Sequence, residues 1–105
     1  MSTQDGICIL EGYILNYTHP PKFESKRKIA LNSLNRWTAD YILDAIESHP
    51  NKNPIDICEE IVDKFDDWSC SNCLQSRTWS ICCDCAIDIL SHLYANEHSG
   101  FFGCF

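Results

Sequence analysis

Apolar residues recur at helical spacing in three stretches of the chain. From about residue 26 to 47, Ala30, Leu34, Trp37, Tyr41 and Ala45 follow at intervals of three or four, flanked by Leu31, Ile42 and Ile46. That rhythm predicts an amphipathic helix, with Ser25 as its N-cap and "SHPNKNP" as its stop. A second helix is expected from Pro54, with Asn53 as cap and proline in its favoured first-turn position. Cys58, Ile61, Val62, Phe65 and Trp68 form its apolar stripe. Asp56, Glu59, Glu60, Asp63, Asp66 and Asp67 form its polar face. A third is expected over about 84–96, where Ala86, Ile89, Leu90, Leu93 and Tyr94 share one face.

The ends are less decided by pattern. Residues 7–17, "ICILEGYILNY", are apolar and suit either a strand pair or a short buried segment. The two prolines of "THPPKF" make an extended linker. Gly100 and Gly103 loosen the tail "SGFFGCF", whose aromatics could fold back onto residues 7–15.

The segment from the end of the second helix into the start of the third carries the densest chemistry. Of eight cysteines, Cys70, Cys73, Cys82, Cys83 and Cys85 fall within it. Cys70-x2-Cys73 and Cys82-x2-Cys85 form a double C-x-x-C, the spacing that turns two pairs of thiolates onto one tetrahedral zinc. The eight residues between the pairs, "LQSRTWSI", suit a tight hairpin. Together these features resemble a small treble clef or short zinc ribbon. The likeness covers about 27 residues and departs from the pattern in having Leu74 where glycine is usual. It implies one structural Zn2+ held by Cys70, Cys73, Cys82 and Cys85, with Cys83 spare because the alternative leaves a C-x-C pair; which of Cys82 and Cys83 is the ligand stays open. The start of the third helix near Asp84 would face the thiolates with its positive end. Arg77 is a candidate donor to a thiolate. Cys58, on an apolar stripe, reads as a small buried hydrophobe.

The expected fold is therefore mostly α with a small zinc-bound β-hairpin, an α+β class. The chain reads as a single domain over residues 1–105. Its parts are an N-terminal segment and linker (1–25), a two-helix region (26–68), the zinc hairpin with its helix (69–96) and a tail (97–105).

Charge narrows the function classes. The net charge is −7, which disfavours a general nucleic-acid binder. A basic shoulder nevertheless stands out: Lys22, Lys26, Arg27, Lys28 and Arg36, a candidate partner-binding surface. Residues 40–67 hold nine acids against Lys52 and Lys64. No apolar run reaches the length of a membrane span, and "MSTQDGICIL" lacks a basic n-region. A reducing cytoplasmic setting is expected, where clustered thiols bind metal more often than they pair. The twelve isoleucines against five alanines suggest an AT-rich source such as a phage or mobile element.

Enzyme signatures are lacking. There is no H-x-E element ahead of a P-C-x-x-C, no G-x-S-x-G and no glycine-rich phosphate loop. "WSCSNC" is similar to thioredoxin-like sites but follows an acidic helix instead of a strand. The expectation is a small zinc-stabilised protein-interaction module or regulatory adaptor. Alternatives are an acidic inhibitor of a nucleic-acid enzyme, a nucleic-acid-binding zinc protein using Arg77 and Trp79, and a C-x-x-C redox protein.

Overall fold

The computed structural model describes the backbone of residues 1–18, 26–70 and 76–102, and the side chains of 1–15, 31–70 and 76–97. Four helices account for these residues: α1 (Thr3–Thr18), α2 (Lys26–Ser48), α3 (Pro54–Ser69) and α4 (Ser76–Phe102). Among the described residues there is no strand. The fold is all-α, which corrects the expected α+β class and removes the zinc-bound hairpin.

The correction has a local cause. "LQSRTWSI" contains no Gly, Pro, Asn or Asp to turn a two-stranded hairpin. It does contain Trp79, which begins a helical rhythm: Trp79, Cys82, Ala86, Ile89 and Leu93 follow at intervals of three or four. Counting the cysteines as apolar extends the third predicted helix back to Ser76. Forward, it runs past Gly100 to Phe102. Cys82 and Cys85 thus lie well inside α4, beyond the first-turn N–H groups that were expected to face thiolates.

The N-terminal segment, undecided by pattern, is α1. Its Gly12 is exposed, and a Cβ there would meet nothing within 4 Å. The boundaries of α2 and α3 match the expected ones closely. Asn53 caps α3, its Oδ1 accepting a 3.0 Å bond from the Ile55 backbone N–H, with Pro54 in the first turn.

Two helical hairpins make the bundle: α1 packs mainly on α2, α3 mainly on α4, and the α2–α4 contact joins the pairs. Leu10, Tyr13, Ala39, Ile42, Ile46, Ile61, Phe65, Ala86, Ile89 and Leu93 are buried at the junction, together with Cys58, Cys82, Cys83 and Cys85. On α2 the buried stripe is rotated from the expected one. Thr38, Ala39, Ile42 and Ile46 face inward, whereas Leu31 and Trp37 are exposed and Leu34, Tyr41 and Ala45 only half-buried. Thr38 tolerates burial because its Oγ1 donates to the Leu34 carbonyl at 2.9 Å. Between the pairs, α1 meets the start of α3 so closely that a Cβ on Gly6 would stand 2.6 Å from Pro54 Cγ.

No described helix is long and apolar enough to cross a membrane.

Candidate aromatic surface and the cysteine core

Helices α2, α3 and α4 each send aromatic side chains to one region. Phe65, on α3, is fully buried at its centre. Its ring packs against Trp37 at 6.2 Å between centroids, Tyr41 at 5.6 Å, Trp68 at 5.8 Å and Trp79 at 5.3 Å. Trp68 and Trp79 approach to 4.5 Å at 60°. These separations and tilts lie in the favourable range for aromatic pairs, which adds about 0.5–1.5 kcal/mol per pair to area burial. The sequence spacing explains the convergence: Phe65 and Trp68 share the α3 stripe, Trp37 and Tyr41 are one turn apart on α2, and Trp79 opens the apolar face of α4.

The cluster is not closed. Trp37 is 44% exposed and Trp68 39%. Lys64, one turn before Trp68, places its Nζ 5.8 Å from the Trp68 ring centroid, a cation–π contact. The exposed Asp63, Asp66 and Asp67 occupy the same two turns.

The cysteines form a second feature, inside the bundle. Cys58 Sγ points at the Ala86 carbonyl at 3.6 Å, Cys85 Sγ at the Asn35 carbonyl at 3.6 Å, and Cys83 Sγ at the Val62 carbonyl at 3.7 Å. The Tyr13 hydroxyl also lies 3.6 Å from Cys85 Sγ. Burial pushes the Cys58 thiol from 9.0 up to about 12, with a further rise from the Glu59 carboxylate. Burial likewise takes Cys85 up to about 11, against a lowering hydrogen bond from Tyr13. Cys82 is raised by burial and partly lowered by Thr38, and Cys83 is raised by burial and by neighbouring acids, Asp66 first. These groups are neutral thiols at neutral pH, packing as small hydrophobes with weak S–H donors.

Of the predicted zinc ligands, Cys82 and Cys85 share the inward face of α4, Cys70 is exposed at the end of α3, and Cys73 lies outside the described residues. Cys83, expected to be spare, is the α4 cysteine whose thiol feels Cys70. Among the described residues no three His, Cys, Asp or Glu side chains stand together as a metal site. The cysteines described, Cys8, Cys58, Cys70, Cys82, Cys83 and Cys85, are all free thiols.

The basic shoulder is placed in part. Lys22 and the side chains of Lys26, Arg27 and Lys28 lie outside the described residues, although α2 does begin at Lys26 and so carries those three residues in its first turn. Arg36 is exposed and pairs with Asp40 one turn on, Nε to Oδ2 at 3.9 Å. Arg77 is exposed on the first turn of α4.

The sequence did not suggest the link between α1 and α4. Tyr13 donates a 2.7 Å hydrogen bond to Asp88 Oδ2, and its ring meets the edge of His92 at 5.5 Å. His92 Nε2 lies 3.8 Å from the same carboxylate. A shallow cleft of about 280 Å³ opens beside this link, lined by Leu31, Asn35 and Asp84 among others. Another of about 220 Å³ lies between α2 and α3, at His49, Lys52 and Glu60.

No protein-family model, no curated protein and no solved structure matches this chain, so no family is assigned to it.

Proposed function

We propose that the protein is a small helical interaction module that binds another protein through the aromatic surface where α2, α3 and α4 meet. The observation that carries this reading is the exposure of Trp37 and Trp68 while both pack on the buried Phe65. Tryptophans exposed on a rigid base supply large contact area at small entropic cost, and they are enriched among residues that dominate protein interfaces. Stability alone would be served by burying them.

The test is affinity capture with the wild-type chain and with a Trp37→Ala/Trp68→Ala variant whose helical content has been verified. The reading expects a protein held by the wild type and released by the variant. A partner held equally by both rules this surface out, and the basic shoulder of Lys22, Lys26, Arg27, Lys28 and Arg36 then becomes the surface to test.

A further inference from the structure

We infer that the cleft between α2 and α3 is a binding site for a small organic acid, a carboxylate carried on a compact apolar body; this goes beyond the interaction-module reading, because neither Trp37 nor Trp68 lines the cleft. Small-molecule sites are concave and mostly apolar, with a few placed polar groups. This cleft has that build. Ile57 and Ile61 of α3 give it a buried apolar lining, with half-buried Tyr41 and Ala45 across from them on α2. Its charged groups are Lys52, Glu60 and Lys64. Its volume is about 220 Å³, below the roughly 300–1,000 Å³ of sites for drug-sized ligands, so the occupant is small.

Charge selects the class of ligand. The chain carries −7, yet of the four described lysine and arginine side chains, Arg36, Lys52, Lys64 and Arg77, two line this cleft. Two ammonium groups against the Glu60 carboxylate leave its wall one positive charge in excess, whereas the cleft at Asp84 and Asp88 has the opposite sign. Lys52 is placed by the turn between the helices, where its backbone N–H donates to the His49 carbonyl at 3.1 Å. His49 is itself held at the cleft by Nδ1, which donates to the Ala45 carbonyl at 2.9 Å. Both ammonium groups are open to a competing anion. Lys52 Nζ lies 3.7 Å from Glu60 Oε2 with both side chains more than half exposed, and such pairs are weak. Lys64 Nζ lies 5.8 Å from the Trp68 centroid, near the outer limit of a cation–π contact. A carboxylate at the mouth can draw on both, while its apolar body covers Ile57 and Ile61.

Phenylacetate is the probe, with phenylacetamide as its neutral analogue and phenethylamine as its cationic one; calorimetry and amide chemical shifts are the readouts. Wild-type protein is expected to bind phenylacetate more tightly than either analogue, more weakly as salt rises, with shifts at Tyr41, Ile57 and Ile61. Ala45→Leu fills the cleft without changing the charge and is expected to abolish binding. Lys52→Gln and Lys64→Gln are each expected to weaken it about two- to five-fold. Arg77→Gln removes the same charge from α4, away from the cleft, and is expected to weaken it less than either. The lysine variants sit at exposed positions, so they test the site independently of how Ala45→Leu packs. Failure to bind phenylacetate, or binding no tighter than that of phenylacetamide, would overturn the proposal. So would a folded Ala45→Leu variant that binds as the wild type does, or equal effects from the three charge variants, which would reduce the attraction to net charge.

Discussion

Tyr13 and Asp88, 75 positions apart in the chain, are joined by a 2.7 Å hydrogen bond that ties α1 to α4. The phenol is the donor, and the carboxylate accepts while half exposed to solvent. A bond to an ionised group stabilises by about 1.5–3 kcal/mol when buried, and less where water competes. Tyr13→Phe keeps the ring and removes the donor. It is expected to lower unfolding free energy by about 1 kcal/mol in urea titration. In a double-mutant cycle with Asp88→Ala the two losses should not add.

The two glycines of α1 should respond to alanine with opposite signs. Gly12 is exposed with open space around it, so Gly12→Ala is expected to raise stability by about 0.5–1 kcal/mol through helix propensity. At Gly6 the new methyl would meet Pro54 Cγ at 2.6 Å and Cβ at 2.7 Å. Proline's ring is stiff and sits in the capped first turn of α3, so α1 and α3 must separate. Gly6→Ala is expected to cost about 1–3 kcal/mol, typical of overpacking. Thermal denaturation of the two variants side by side checks both.

The buried thiols predict an alkaline loss of stability. Below pH 8 the Cys58 and Cys85 thiols are protonated in the folded and unfolded chain alike, so stability is independent of their titration. Above about pH 9 the unfolded chain ionises them, whereas the folded values stand at about 12 and about 11. Stability should fall between about pH 9 and 11, by roughly 1.4 kcal/mol per pH unit for each thiol. Cys58→Ala should remove one thiol's share of that slope. A denaturant midpoint that stays level from pH 8 to 10.5 would show that these thiols are not buried.

The four-helix core is also expected to stand without metal. A structural zinc supplies about 10–16 kcal/mol of apparent binding energy in small zinc domains, more than many domains' entire stability. If Cys70, Cys73, Cys82 and Cys85 held such an ion, exhaustive chelation would collapse the helical signal. The inward Cys82 and Cys85 thiols lead us to expect unchanged circular dichroism and melting temperature after chelation, with metal content followed by elemental analysis. Collapse on loss of about one zinc per chain would restore the four cysteines as the staple.

Much of the architecture was legible in the chain. The proline and asparagine at α3 and the stop before it are short-range signals, and the end of α2 and the start of α3 followed from them; the Ser25 cap expected at the start of α2 lies outside the described residues. The hairpin expectation failed because cysteine has two chemistries. Read as metal ligands, Cys82 and Cys85 break the apolar pattern and imply a turn; read as small hydrophobes, they complete it from Trp79 to Leu93. The rule that placed Cys58 in the core applied to them equally. The α2 stripe was misjudged because large aromatics were assumed to point inward, while the smaller Thr38 and Ala39 occupy the tight crossing. Trp37, Trp68 and Trp79 were each visible, but nothing local to any of them reveals that three helices bring them to one place.

The sulfur-lined interior gives the molecule a built-in record of its own motion. Cys58 sits on α3, Cys82, Cys83 and Cys85 on α4, and each is shielded in the closed bundle. Cys58 and Cys83 are covered across the α3–α4 seam, whereas Cys82 and Cys85 are covered by Thr38 and Asn35 of α2. An alkylating reagent therefore reaches the first two when α3 and α4 part and the other two when α4 leaves α2, whereas the exposed Cys8 and Cys70 react at once. The lag of each thiol behind the fast pair measures how often its own seam opens, and mass spectrometry of the labelled peptides would say which helix lets go first.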